Sequence, residues 1–113
     1  MDNLEKLRKE LWETTYLTPL RPNDLLENTK DPDYLNISFS REAESLKGEL
    51  FFKDEEKIIK AEYYFDCNDH LVIAKIIEEN DEIVIYDREQ RKADIISTIM
   101  KNYGVKELNS FVS

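Results

Sequence analysis

The 113 residues contain only one cysteine, one histidine, two glycines and three prolines, and these scarcities exclude several classes of function. A lone cysteine, Cys67, forms no internal disulfide, which fits a reducing compartment. Gly48 and Gly104 are too few for a phosphate-cradling loop, which needs several glycines. A closed zinc site wants four ligands rich in nitrogen and sulfur, and Cys67 and His70 are the only such side chains the chain offers. No apolar run approaches the ~20 residues of a membrane span; the longest are short clusters such as Leu71-Val72-Ile73-Ala74. Met1-Asp2-Asn3-Leu4-Glu5-Lys6 lacks the basic start and apolar stretch of a signal peptide. These absences lead to the expectation of a cytoplasmic protein with no cofactor, no metal and no membrane.

Acidic charge, by contrast, is abundant. Twenty-five acids face sixteen bases, a net charge of -9, while 41% of residues are hydrophobic. That is apolar material for one core, and the length suits a single domain over residues 1–113. The charge is uneven. Residues 61–90 carry nine acids against two bases, Lys75 and Arg88, whereas residues 91–113 are net positive. A field of one sign repels nucleic acid and acidic membranes and attracts basic partners.

Apolar spacing marks the elements. Leu4, Leu7, Leu11 and Trp12 recur at helical period over residues 2–15, with Asp2 or Asn3 as cap and Pro19 and Pro22 ending any continuation. Pro22-Asn23-Asp24 offers a short helical turn through Leu25, Leu26 and Glu27. The period then changes to two, with Leu35, Ile37 and Phe39 alternating with polar residues. A charged connector over 41–45 leads to strands over Leu46–Lys53, Ile58–Cys67, Leu71–Ile77 and Glu82–Tyr86. Gly48 marks a bulge or a close approach. In the third strand Ile59, Ala61, Tyr63, Phe65 and Cys67 share the apolar face, and Lys60, Glu62, Tyr64 and Asp66 the other.

Short connections imply an antiparallel meander, since parallel neighbours need long crossovers. Asp87 then caps a helix whose stripe is Ala93, Ile96, Ile99, Met100 and Tyr103, with Ile95 beside it and Gly104 as C-cap. Leu108, Phe111 and Val112 follow, available to pack back. The expected fold is α+β: an antiparallel β-meander of about four to five strands with an N-terminal and a C-terminal helix packed against it.

Reactive side chains cluster only at Asp66-Cys67-Asn68-Asp69-His70. A nucleophile reading makes Cys67 the thiolate, His70 the base and an Asp the orienter. Against it, the face assignment puts Cys67 among apolar side chains, and flanking acids disfavour a thiolate. The same segment lacks the glycine and the later bidentate acid of a calcium loop. A metal-dependent nuclease needs an acid-x-Lys after a strand acid, and Lys60-Ala61-Glu62 runs in the reverse order. An enzyme using Cys67 and His70 is therefore the minor alternative. An oligomeric scaffold subunit, joined through an aromatic sheet face, is another.

Aromatic residues make up 11% of the chain. Consecutive Phe51-Phe52 and Tyr63-Tyr64-Phe65 must point to both faces of their strands. The non-core face therefore shows Tyr64 with Phe51 or Phe52, unless the N-terminal helix or a partner covers it. Stacking of single-stranded nucleic acid needs interleaved Lys and Arg, and residues 61–74 contain none, so direct nucleic-acid binding is not expected. Tyrosines among acids suit a protein-binding surface. The expected site is Asp66, Asp69, Glu78, Glu79, Asp81 and Glu82 steering a basic partner, with Tyr64 and Tyr86 as anchors.

No string, DCNDH (66–70), GELFF (48–52) and EIVIYDREQRKADII (82–96) included, carries a specific family motif. In size and charge the chain resembles immunity proteins and phage-encoded inhibitors. That resemblance implies an inhibitor of a basic protein such as a nuclease: an immunity protein or antitoxin, or a nucleic-acid mimic.

Overall fold

The computed structural model describes residues 2–28 and 30–104. In chain order it contains α1 (Asn3–Tyr16), α2 (Pro22–Asn28), β1 (Tyr34–Glu42), β2 (Ser45–Asp54), β3 (Lys57–Phe65), β4 (Leu71–Glu78), β5 (Asp81–Asp87) and α3 (Arg88–Tyr103). The strands form one antiparallel sheet in the order β1-β2-β3-β4-β5. The architecture is α+β, a five-stranded meander with a helix at each end of its sequence. The chain falls into two compact units, one built from α1 and α3 and the other spanning Thr18–Asp87. The stretch with Leu108, Phe111 and Val112 lies outside the described residues.

In the helical unit, the Asp2 carboxylate caps α1 by accepting the Glu5 backbone N–H at 2.8 Å. Leu11, Ile95 and Ile99 are buried between the two helices, with Leu4, Leu7 and Ile96 packed around them. Arg91 Nε donates to the Thr14 hydroxyl at 3.3 Å and ties α3 to α1. The helix stripes differ from the spacing argument at four residues. Trp12 is 47% exposed and packs against Tyr16, the rings tilted and their centroids 5.6 Å apart. On α3, Ala93, Met100 and Tyr103 are exposed and Ile95 takes the buried position. Two apolar stripes compete on that helix, and contact with Leu11 selects the one through Ile95 and Ile99. Gly104 closes α3 at φ 90, its N–H donating to the carbonyls of Ile99 and Met100.

In the sheet unit, α2 lies on the sheet with Leu25 fully buried over Phe65, Leu71 and Ala74. Burying that side chain stabilises the unit by about 2 kcal/mol. Gly48 lies against this helix: a Cβ there would stand 3.0 Å from Leu25 Cδ1 and 3.1 Å from Phe39 Cε1. It marks a close approach rather than a bulge. The Thr18 hydroxyl donates to the Leu20 carbonyl and accepts the Leu71 N–H at 2.9 Å, pinning the segment before α2 to the start of β4.

Ile59, Ala61 and Phe65 are buried on one face, as the period of two requires. The strand ends at Phe65, however, so the alternation does not extend to Cys67. The expected charged connector over 41–45 is instead a tight hairpin. Glu42 pairs with Ser45, leaving only Ala43 and Glu44 as the turn.

Candidate functional site

A meander places successive turns at alternate ends of its sheet. The β1–β2 turn at Ala43-Glu44 and the β3–β4 turn at Asp66–His70 lie at one end. The β2–β3 turn at Glu55-Glu56 and the β4–β5 turn at Glu79-Asn80 lie at the other. The expected acidic surface is thereby divided. Asp66 and Asp69 sit at the first end, and Glu78, Glu79, Asp81 and Glu82 at the second. The eight residues of β4 put about 25 Å between them.

The second end gains acids that the sequence reading did not single out. Two adjacent hairpins bring residues 53–57 beside residues 78–82, together seven acids against Lys53 and Lys57. Lys57 Nζ joins the hairpins by reaching Glu78 Oε1 at 3.1 Å, and that hydrogen bond raises the ammonium above its ordinary value. Asp54, Glu55, Glu56, Glu79, Asp81 and Glu82 are all exposed. Glu82 pairs with Lys75 at 2.8 Å. Glu55 and Glu79 hold φ of 58 and 57 at the first turn position, a conformation that two-residue hairpins usually give to glycine. Continuous with these acids runs β5, on which Ile83, Val84 and Ile85 are 55%, 54% and 55% exposed.

Acids in the middle of the sheet are internally compensated. On the polar face, Lys47 Nζ stands 2.9 Å from Glu62 Oε2 and 3.1 Å from Glu49 Oε1, and Lys60 Nζ contacts the same two carboxylates at 3.3 Å. Glu62 is only 7% exposed. Burial pushes its carboxyl up, and the hydrogen bonds from Lys47 and Lys60 more than offset that, so it titrates below the ordinary range. Glu49 is held low first by its hydrogen bond from Lys47. Lys47 is raised, chiefly by its bond to Glu62. No local pattern marks these four residues as a site, because the register that brings them together is not visible along the chain.

The two expected anchors are not brought together. Tyr64 lies half-buried on the polar face, its ring 5.6 Å from Lys47 Nζ and 5.7 Å from Lys75 Nζ. Both ammoniums are close enough for cation–π attraction. Tyr86 pairs with Ala74 and packs on the opposite face, against the cluster under Leu25.

At the first end, Asp66 organises the turn. Its Oδ1 accepts the backbone N–H groups of Asn68 and His70 at 2.9 and 3.0 Å, and its own N–H donates to the His70 carbonyl at 2.9 Å. Cys67 is exposed, not on the apolar face, because the strand stops before it and the Asp66 turn directs the chain outward. With Asp66, Asp69, Arg41 and Glu44 it lines a cleft of about 230 Å³. His70 does not line that cleft. Among the described residues, no three His, Cys, Asp or Glu side chains gather as a metal site would require, and no helix is long and apolar enough to cross a membrane. No family model matches the chain, and no curated protein or solved structure matches it either.

Proposed function

We propose that this chain is a small cytoplasmic binding protein that neutralises a basic partner, a nuclease or another nucleic-acid-handling protein. One observation carries the reading: the hairpin end at residues 53–57 and 78–82 bears seven acids and two lysines, continuous with exposed Ile83–Ile85. Compensation at Glu49 and Glu62 within the sheet leaves that end as the concentrated source of negative field. Acids there steer and pair with Lys and Arg, while the apolar strand supplies area to desolvate. The chain itself performs no catalysis in this reading.

Two forms of inhibitor differ in their response to salt. A phosphate mimic acts through charge and loses affinity steeply as ionic strength rises. A cognate immunity protein or antitoxin also buries apolar surface and keeps much of its affinity. The exposed isoleucines and valine beside the acids favour the cognate form.

The test compares the tagged wild-type chain with Glu55→Lys/Glu79→Lys/Asp81→Lys in native extract, washed at low and high salt. Wild type is expected to retain a basic protein in stoichiometric amount at high salt and to suppress its nucleic-acid-cleaving or nucleic-acid-binding activity. The triple variant, folded, is expected to do neither. Equal retention and suppression by both proteins sinks the acidic-end reading.

A further inference from the structure

We infer that β5 is a strand-addition site, along which an extended basic segment of the partner pairs as a sixth strand. This docking mode rests on the acidic-end reading and specifies how that surface grips. The sheet order ends at β5, so one edge of Asp81–Ile85 faces β4 and the other has no strand beside it among the described residues. Unpaired amides and carbonyls on such an edge template another strand. Ile83 and Val84 pair with Ile76 and Lys75 and therefore point to opposite faces. Apolar surface is thus open above and below the edge, where a paired strand would cover it.

Charge decides what that strand is. A second copy of β5 fits poorly: antiparallel self-pairing centred on Val84 sets Asp81 opposite Asp87, and like charges directly opposite destabilise a ladder. The register shift between Ala74 and Lys75 leaves Ile85 as the extra residue of a bulge, which twists the edge away from a long flat pairing. A segment with lysine or arginine beside Asp81 and Glu82, and β-branched residues beside Ile83–Ile85, complements the charge, and the bulge keeps its pairing short, over Asp81–Ile85. The acids at the start of β5 therefore act against self-association and for basic strands at once.

The experiment titrates the isotope-labelled full chain with the peptide Lys-Lys-Val-Thr-Val-Thr-Val. Two analogues are N-methylated on alternate residues, one on each edge, and a third carries Glu in place of Lys. Expected are amide shifts and hydrogen-exchange protection confined to Asp81–Ile85 at millimolar peptide. One of the two methylated analogues, the one that loses the donors facing β5, should bind at least about tenfold more weakly. The Glu analogue should also bind more weakly. Val84→Lys should abolish the effect, and Leu35→Lys on the opposite edge should not. Undiminished binding of both methylated analogues overturns strand addition; if Glu55→Lys/Glu79→Lys still abolishes that binding, the acidic-end reading stands alone. Binding that is indifferent to the acid reversals as well removes both readings. No binding of the parent peptide at millimolar concentration also overturns strand addition.

Discussion

Lys47 Nζ lies 2.9 Å from Glu62 Oε2, reaching diagonally across the β2–β3 ladder from its register partner Tyr64. The pair is the hub of a four-residue network, with Glu49 and Lys60 completing it. It holds a nearly buried carboxylate in the middle of the sheet and neutralises that region. Negative field is therefore concentrated where the hairpins turn.

Truncating the hub leaves two ammoniums with Glu49 as their one remaining shared acceptor in the network. Glu62→Ala is expected to destabilise the fold by about 2 kcal/mol, measured by urea unfolding. Glu62→Gln keeps an acceptor without the charge and should cost about half as much. A cost near zero for both would mean that the network contributes nothing net.

The same groups set a pH dependence. Glu62 and Glu49 are held below the ordinary glutamate value of 4.5, so their contribution is present above that value and lost as pH falls below it. Lys47 is raised above 10.5, so its contribution is complete below 10.5 and lost as pH rises through its folded value. The network's stabilisation should be flat between about pH 5.5 and 9.5. Urea midpoints of wild type and Glu62→Gln, followed against pH, should converge at the acid end.

Gly48 tests the seat of α2. Gly48→Ala drives a methyl into Leu25 and Phe39, at 3.0 and 3.1 Å, and should cost about 1–3 kcal/mol. Leu25→Ala empties a fully buried position and should cost about 3 kcal/mol. Thermal unfolding reports both. A neutral Gly48→Ala would show that α2 is free to shift outward.

What the sequence made legible was what depends on local period. Alternation at Ile59, Ala61 and Phe65, Pro19 and Pro22 after α1 and the glycine after α3 all lead to the right element in the right order. It misled where alternation was carried one step too far: Cys67 follows the end of β3, and the Asp66 turn takes it outward. Cross-strand neighbours such as Lys47 and Glu62 depend on register, which no local pattern fixes. The division of Asp66 and Asp69 from Glu78–Glu82 follows from counting hairpins in a meander, a signal present in the chain. The choice of Ile95 over Met100 on α3 is made by Leu11 on a different helix.

The turn geometry separates stability from binding. Glu55 and Glu79 occupy positive φ without being glycine. Glu55→Gly/Glu79→Gly removes that backbone cost and should leave stability unchanged or raise it by up to about 1 kcal/mol. Partner affinity should fall all the same, since two tip charges are gone. Lower stability together with full affinity would contradict both halves.

Cys67 is accessible, so iodoacetamide should label it in the folded protein at a rate close to that in urea. Labelling, or Cys67→Ser, should leave partner retention unchanged, because the thiol lies at the sheet end remote from Glu79 and Asp81. Loss of retention on labelling would move the binding surface to the cleft beside Arg41.

The most direct measurement is hydrogen exchange of the full chain, free and bound to its captured basic partner, read residue by residue. New protection is expected at Lys53–Lys57 and Glu78–Ile85, with the Asp66–His70 turn and the Trp12–Tyr16 face of α1 unchanged. Protection at either of those places, with the acidic hairpins and β5 exchanging as in the free protein, would contradict the account.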